Sequence, residues 1–325
     1  MATGPKTLLK ERENLEQYLG VYISMEELVA IQSHHCSLDL RGRRKALTAI
    51  AGSHHSSFRG RGIDFDEVRI YQPGDDVRNI DWRVTARTGK PHTKLFREER
   101  ERPIYIVVDQ SQSMFFGSQQ AFKSVVAAKA AGYLAWGSRE HGDRVGGFIF
   151  NDDEVQEIRP KEGKKGIQQY LRLLIQFNQK LTAEGMVSGS RGAFINALEG
   201  VKRVIRPGSL VFVISDFKHF DDITQQHFSL VARHSDIVAI QVYDPLEQQL
   251  PPPGSYSFTN GQRAITVNTQ SKELRKNYRL RFLQQQERLK HQLATIATPL
   301  IEISTADSVS DVLNSSLGMK ARSKK

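Results

Sequence analysis

Residues 104–113 read IYIVVDQSQS, an apolar run that ends abruptly in an acid and alternating hydroxyls. The run from Ile104 to Val108 is too short for a helix, and it lacks the polar alternation of a half-solvated strand. It suits a strand buried on both faces of a parallel sheet. Similar runs recur at Val145 to Phe150, Leu210 to Ser215, Asp236 to Val242 and Leu300 to Ile303. Helical spacing fills the intervals. After a potential N-cap at Ser118, Phe122, Val125, Val126, Ala130 and Tyr133 share one face as far as about Gly142; further helices are expected over Ile167 to Leu181, from Phe194 to the Pro207-Gly208 stop, from Ile223 to Arg233 and from Leu274 to Ala297. Hairpins are expected at Asn151 to Asp153, leading into Val155 to Ile158, and around Asn260-Gly261. Strands alternating with helices predict an α/β fold: a mainly parallel, doubly wound sheet with helices on both faces.

Outward from this core the texture changes. Residues 60–101 mix alternating apolar positions such as Val68 and Ile70 with dense charge, and predict a small β-rich segment. Residues 1–59 contain leucines at helical spacing up to Ile31, suggesting two short helices separated at Gly20, and then a basic, glycine-punctuated stretch from Arg41 to Arg61. The expected organisation is a helical and basic region over 1–59, the β-rich segment over 60–101, the main domain over 102–305, and a C-terminal helix with a basic tail over 306–325.

Composition narrows the functional classes. Across 325 residues, 46 Lys and Arg face 36 Asp and Glu, a formal charge of +10 that attracts anionic partners: acidic protein surfaces, nucleic acid or anionic lipid. A single cysteine, Cys36, points to a reducing compartment. No signal peptide is evident, and no run approaches the roughly 18 apolar residues of a membrane span. A cytoplasmic protein without membrane insertion is expected.

In open α/β sheets ligands collect at the carboxyl ends of the strands. The strand from Ile104 ends in Asp109, with Ser111 and Ser113 at alternate positions, while the strand from Leu210 leads into Asp216. Asp109, Ser111, Ser113 and Asp216 would share one sheet edge and offer hard oxygens suited to Mg2+ or Mn2+. The bland alternative is a turn capped by its own side-chain oxygens.

Residues 60–69, GRGIDFDEVR, then YQPGDDVRNIDWRVTARTG at 71–89 running into the Asp109 strand, resemble the signature of the bacterial domain-of-unknown-function 58 family of von Willebrand factor A-like proteins. The resemblance continues through Asp216 and more loosely to Val242-Tyr243-Asp244-Pro245. It implies a von Willebrand factor A-like domain over about Arg102 to Thr305. It also implies a metal-dependent adhesion-type site at Asp109, Ser111, Ser113 and Asp216, in which the serines coordinate directly and the aspartates act through water. A partner's acid would complete the shell. The family pattern also has a threonine. Here its place falls near Ser190 to Ala193, where Ala193 offers no oxygen and Ser188 or Ser190 would have to reach in. Because family members accompany MoxR-type AAA+ ATPases, the resemblance further implies an adaptor or co-chaperone that helps such an ATPase mature a client protein.

Other chemistries find less support. Neither a G-x-S-x-G elbow nor a G-x-x-x-x-G-K-[ST] frame occurs, so a non-enzymatic role is expected and any ATPase is a separate partner. His34, His35, Cys36, His54 and His55 lack zinc-ligand spacing and read as a basic, pH-sensitive surface. Arg69, Asp75, Asp76, Arg78, Asp81, Arg83 and Arg87 suggest an ion-pair network tying the β-rich segment to the main domain, with Trp82 as a packed anchor. The rival reading is nucleic-acid binding through the basic terminal regions.

Overall fold

The computed structural model describes residues 20–33, 63–73, 75–98, 103–139, 142–183, 191–259 and 264–317. Of the expected features, the first N-terminal helix, the histidines with Cys36, the basic stretch 41–61, Ser188, Ser190 and the basic tail lie outside the described residues. The chain divides into two compact units, residues 55–102 and the remainder.

Helix α1 (Met25–Ala30) begins in a capping box: the Ser24 hydroxyl accepts from the Glu27 amide at 3.2 Å, and a Glu27 carboxylate oxygen accepts from the Ser24 amide at 3.1 Å. Leu28 is buried, and its carbonyl accepts from the Trp136 indole at 2.8 Å, so this short helix belongs to the core of the larger unit.

Residues 55–102 form a unit in which β1 (Ile63–Ile70) pairs antiparallel with β2 (His92–Glu98), and α2 (Trp82–Thr88) lies between them in sequence. Asp81 caps α2, accepting from the amides of Arg83 at 3.0 Å and Val84 at 3.1 Å, and Gly89 closes it at φ 71°. Within this unit three of the acids have local partners. Arg69 pairs with Asp75 at 2.7 Å, Asp76 accepts from the Arg78 amide, and Lys94 lies 3.5 Å from Asp81. Trp82 is the first residue of α2.

The larger unit is built on β3 (Ile104–Asp109), α3 (Lys123–Arg139), β4 (Val145–Phe150), β5 (Val155–Lys161), α4 (Gly163–Gln179) and α5 (Arg191–Val204). It continues through β6 (Ser209–Ser215), α6 (Asp222–Ala232), β7 (Ser235–Tyr243), the single turn α7 (Pro245–Gln248) and the hairpin β8 (Ser255–Thr259) with β9 (Ala264–Asn268). It closes with α8 (Lys272–Thr295), β10 (Leu300–Ser304) and α9 (Val309–Leu317). Among the described residues a six-stranded sheet runs β10-β7-β6-β3-β4-β5, parallel throughout except for β5 on β4.

Alternation along each strand sorts the core into two layers. Ile104, Ile106 and Val108 meet α3, α4, α1 and α9 through Val125, Leu171, Leu28 and Leu313. Tyr105 and Val107 face α5, α6 and α8 through Phe194, Phe228 and Leu289. Both faces are covered, so β3 is apolar at every position from Ile104 to Val108, which is why that run could be read without periodicity.

The helix after β3 begins at Lys123 rather than at Ser118, because Ser118 is used elsewhere. Its amide donates to Asp244 Oδ2 at 2.7 Å and its hydroxyl to Asp244 Oδ1 at 2.6 Å.

Candidate functional site

The chain runs outward from β3 to β4 and β5, then returns past β3 to β6 and continues to β7 and β10. The strand order therefore reverses between β3 and β6, and the loops leaving these two strands diverge to opposite faces. The crevice between them is where doubly wound folds bind ligands. Asp109 is the last residue of β3 and Asp216 follows the last residue of β6, so both acids stand at this point.

The four residues singled out from the sequence converge here. Ser113 Oγ donates to Asp216 Oδ2 at 2.9 Å, and Ser111 Oγ lies 3.2 Å from Ser113 Oγ. Asp109 joins them through the neighbouring strand: its Oδ1 accepts from the Ser111 amide at 2.9 Å and its Oδ2 from Ser215 Oγ at 2.6 Å. All four are buried. Ala193, at the expected threonine position, is also buried, near the start of α5.

Three charged residues complete the arrangement, and none was recognised from the sequence. Lys123 opens α3 with its side chain fully buried, and its Nζ donates to Asp216 Oδ2 at 2.8 Å and to Glu247 Oε1 at 2.8 Å. Lys218, half-exposed, reaches Glu247 Oε1 at 2.7 Å and lies 3.6 Å from Asp216 Oδ2. Glu247 is placed by a second capping box, its other oxygen accepting from the Asp244 amide at 3.0 Å. The sequence carried two signals for these residues: a lysine opening the Ala- and Val-rich stretch KSVVAAKAA, and the D-x-x-E spacing of Asp244 and Glu247.

The two strand-end acids have opposite electrostatic fates. Burial and then the charge of Asp216 push the Asp109 carboxyl up to about 6. Burial alone would raise Asp216 as well, but the ammonium groups of Lys123 and Lys218 outweigh it and hold that carboxyl well below the usual range. Lys123 shows the converse: desolvation would lower its pKa, and Asp216 and Glu247 together raise it. Phe217, the next residue after Asp216, has φ 54°, a left-handed conformation costly for an aromatic residue. It is held by a ring cluster with Phe194, Phe220 and Phe228 at centroid distances of 5.7–6.2 Å, and its amide donates to Ser215 Oγ at 3.1 Å.

Beside Asp216 opens a cleft of about 340 Å³, walled by the loop from Phe217 to Asp221, by Gln241 of β7 and by Arg288 and Gln292 of α8. Arg191, Lys218 and Arg288 line it. Each stands near an acid, with Arg191 3.1 Å from Asp221 and Arg288 3.7 Å from Asp222, yet their side chains are 42–66% exposed. The oxygen of the buried Gln241 carboxamide, also on this wall, has no hydrogen-bond partner among the described residues. A larger hollow of about 510 Å³ lies between α5 and the β4–β5 hairpin, lined by Asp152, Asp153, Glu157 and Arg203, and none of the four strand-end site residues lines it.

No helix among the described residues is long and apolar enough to cross a membrane. Among solved structures, the chain is similar to the conserved hypothetical protein BatB from Bacteroides thetaiotaomicron. That match is 16% identical with a TM-score of 0.41, over 67% of this chain and 94% of that one. It is also similar to a von Willebrand factor type A protein from Catenulispora acidiphila, 11% identical with a TM-score of 0.37, over 70% and 44% of the two chains. The uncharacterized protein Rv1480 of Mycobacterium tuberculosis is 30% identical over 229 residues, 70% of each chain. A family model described as Protein of unknown function DUF58 matches residues 67–288. The chain belongs to the DUF58 family.

Proposed function

We propose that the protein is a non-enzymatic docking protein whose recognition face is the crevice between β3 and β6, and that it serves as adaptor or co-chaperone to a MoxR-type AAA+ ATPase acting on a client protein. The observation that carries the reading is the cleft beside Asp216. Three exposed cationic side chains, Arg191, Lys218 and Arg288, gather at the switch point of the sheet, where this class of fold presents its binding surface. With three cations against the two lining carboxylates Asp216 and Asp221, the cleft suits an acidic segment of a partner, with the guanidinium groups pairing carboxylates bidentately. The net charge of +10 adds long-range attraction. The choice of a MoxR-type ATPase rests on the family resemblance.

The serines also favour docking over catalysis. Ser113 donates to a carboxylate held strongly ionised, which is a poor general base, and among the described residues neither Ser111 nor Ser113 is hydrogen-bonded to a histidine.

The test is an affinity pulldown from nuclease-treated lysate of the source cell, read by mass spectrometry, comparing wild type with the double reversal Arg191→Glu, Arg288→Glu. Recovery of an AAA+ ATPase that falls at least tenfold in the variant supports the reading. Equal recovery by both moves the interface off this cleft. Capture of nucleic acid from a parallel untreated lysate, with every partner lost on nuclease treatment, replaces the docking reading with nucleic-acid binding through the basic regions.

A further inference from the structure

The divalent ion implied by the resemblance needs the oxygens of Asp109, Ser111, Ser113 and Asp216, so the question is what those oxygens already do. Asp216 Oδ2 accepts from both Ser113 Oγ and Lys123 Nζ, at 2.9 and 2.8 Å, and both oxygens of Asp109 are occupied by Ser111 and Ser215. Ala193 supplies no oxygen. Two ammonium groups, Lys123 and Lys218, stand within 3.6 Å of Asp216 Oδ2, where a dication would meet direct repulsion. The residues present do not fit a hard divalent ion.

The position of Lys123 is costly in isolation. A buried ammonium loses its hydration, and at the first residue of a helix it faces the positive end of the macrodipole. Only the acids that surround it make the placement favourable, and these come from the ends of two different strands: Asp216 after β6 and Glu247 in the turn after β7. One side chain thereby joins α3 to both.

We propose that the Lys123 ammonium is the built-in cation of this site, doing the charge-neutralising work of a divalent ion, so that the face assembles and docks without metal. The inference concerns the site's own cation and does not depend on which partner docks there.

Full-length protein prepared in chelator and titrated with Mn2+, followed by the electron paramagnetic resonance of the free ion, gives the first test. Wild type is expected to show no stoichiometric site tighter than about 1 mM, and its thermal midpoint should be unchanged between Mg2+ and chelator. A single site of higher affinity that Asp109→Ala abolishes would overturn the proposal. Second, Lys123→Met removes the ammonium while keeping the stem. Its thermal midpoint in chelator should fall by about 10 °C, since the buried Asp216 keeps only the half-exposed Lys218 as a cation, and Mn2+ should restore part of the loss. A variant as stable as wild type would equally overturn it. Should the variant fail to fold, the manganese titration of the wild type decides alone. A protein that passes both tests yet captures no ATPase leaves this inference standing and removes the assignment of the ATPase as partner.

Discussion

Asp109 and Asp216 are the same residue type at the ends of adjacent parallel strands, and what separates them is the pair Lys123 and Lys218 beside Asp216. Asp109 has hydroxyl and amide partners but no cation, so its charge is a native-state cost. With a folded pKa of about 6 against an ordinary 3.8, the native protein holds the proton more tightly than the unfolded chain between those values. Stability from this group is therefore full below about 3.8 and is lost as pH rises through about 6. Replacing the acid by a neutral isostere should recover what is lost: Asp109→Asn is expected to raise the thermal midpoint by about 5 °C at pH 7.5, and the gain should fade by pH 5. Thermal scans of both proteins across that range check it, and a pH-independent difference would contradict the assigned burial and charge. The four oxygen-bearing residues were legible because each sits at a strand end marked by an apolar run. Lys123 and Glu247 were not, because their meaning lies in contacts spanning 93 and 124 residues, and a lysine on an alanine-rich helix reads locally as a solvated position.

At the scale of elements, strands and helices were legible wherever both faces of the sheet imposed their pattern, and helix ends were not. Ser118 has the right chemistry for an N-cap, but it is drawn away by Asp244, 126 residues later. The glycines of β4 mark another long-range constraint. Gly147 has φ 154°, and a Cβ there would lie 1.9 Å from the Ile106 carbonyl oxygen of β3. A Cβ on Gly146 would lie 2.5 Å from the Ile158 carbonyl oxygen of β5. The β4–β5 register shifts at this same point, so the bare backbone lets β4 bend between a parallel and an antiparallel neighbour. Gly147→Ala must break β3–β4 pairing and should cost roughly 4 kcal/mol or more, seen as insolubility or a collapsed thermal midpoint. Gly192, in the first turn of α5, has open space around its would-be Cβ, so Gly192→Ala should be neutral or stabilise by up to about 1 kcal/mol. Denaturant unfolding of the two variants side by side separates steric need from composition.

For the molecule as a whole, periodicity established that the sheet is covered on both faces, but not the order of its strands. That order depends on which side of β3 the chain returns, and each helix would bury the same stripe either way. The β3–β6 pairing, with Val107 opposite Val213, places the return on the side of β3 away from β4. The same layering settles what α9 does. Although it follows the last strand, it lies against α3 on the face that also carries α1, with Val309, Leu313 and Leu317 all buried in that layer. Each such side chain contributes on the order of 2 kcal/mol through its removal from water. A chain ended after Thr305 should therefore lose about 5 kcal/mol, enough to lower its thermal midpoint by about 10 °C or more and to expose the apolar surface of α3 to a hydrophobic dye. Leu313→Ala should reproduce about half of that loss through a cavity alone. Equal midpoints for the full and shortened chains would mean that the layer on this face is complete without α9, and that its three apolar residues gain little from the contact.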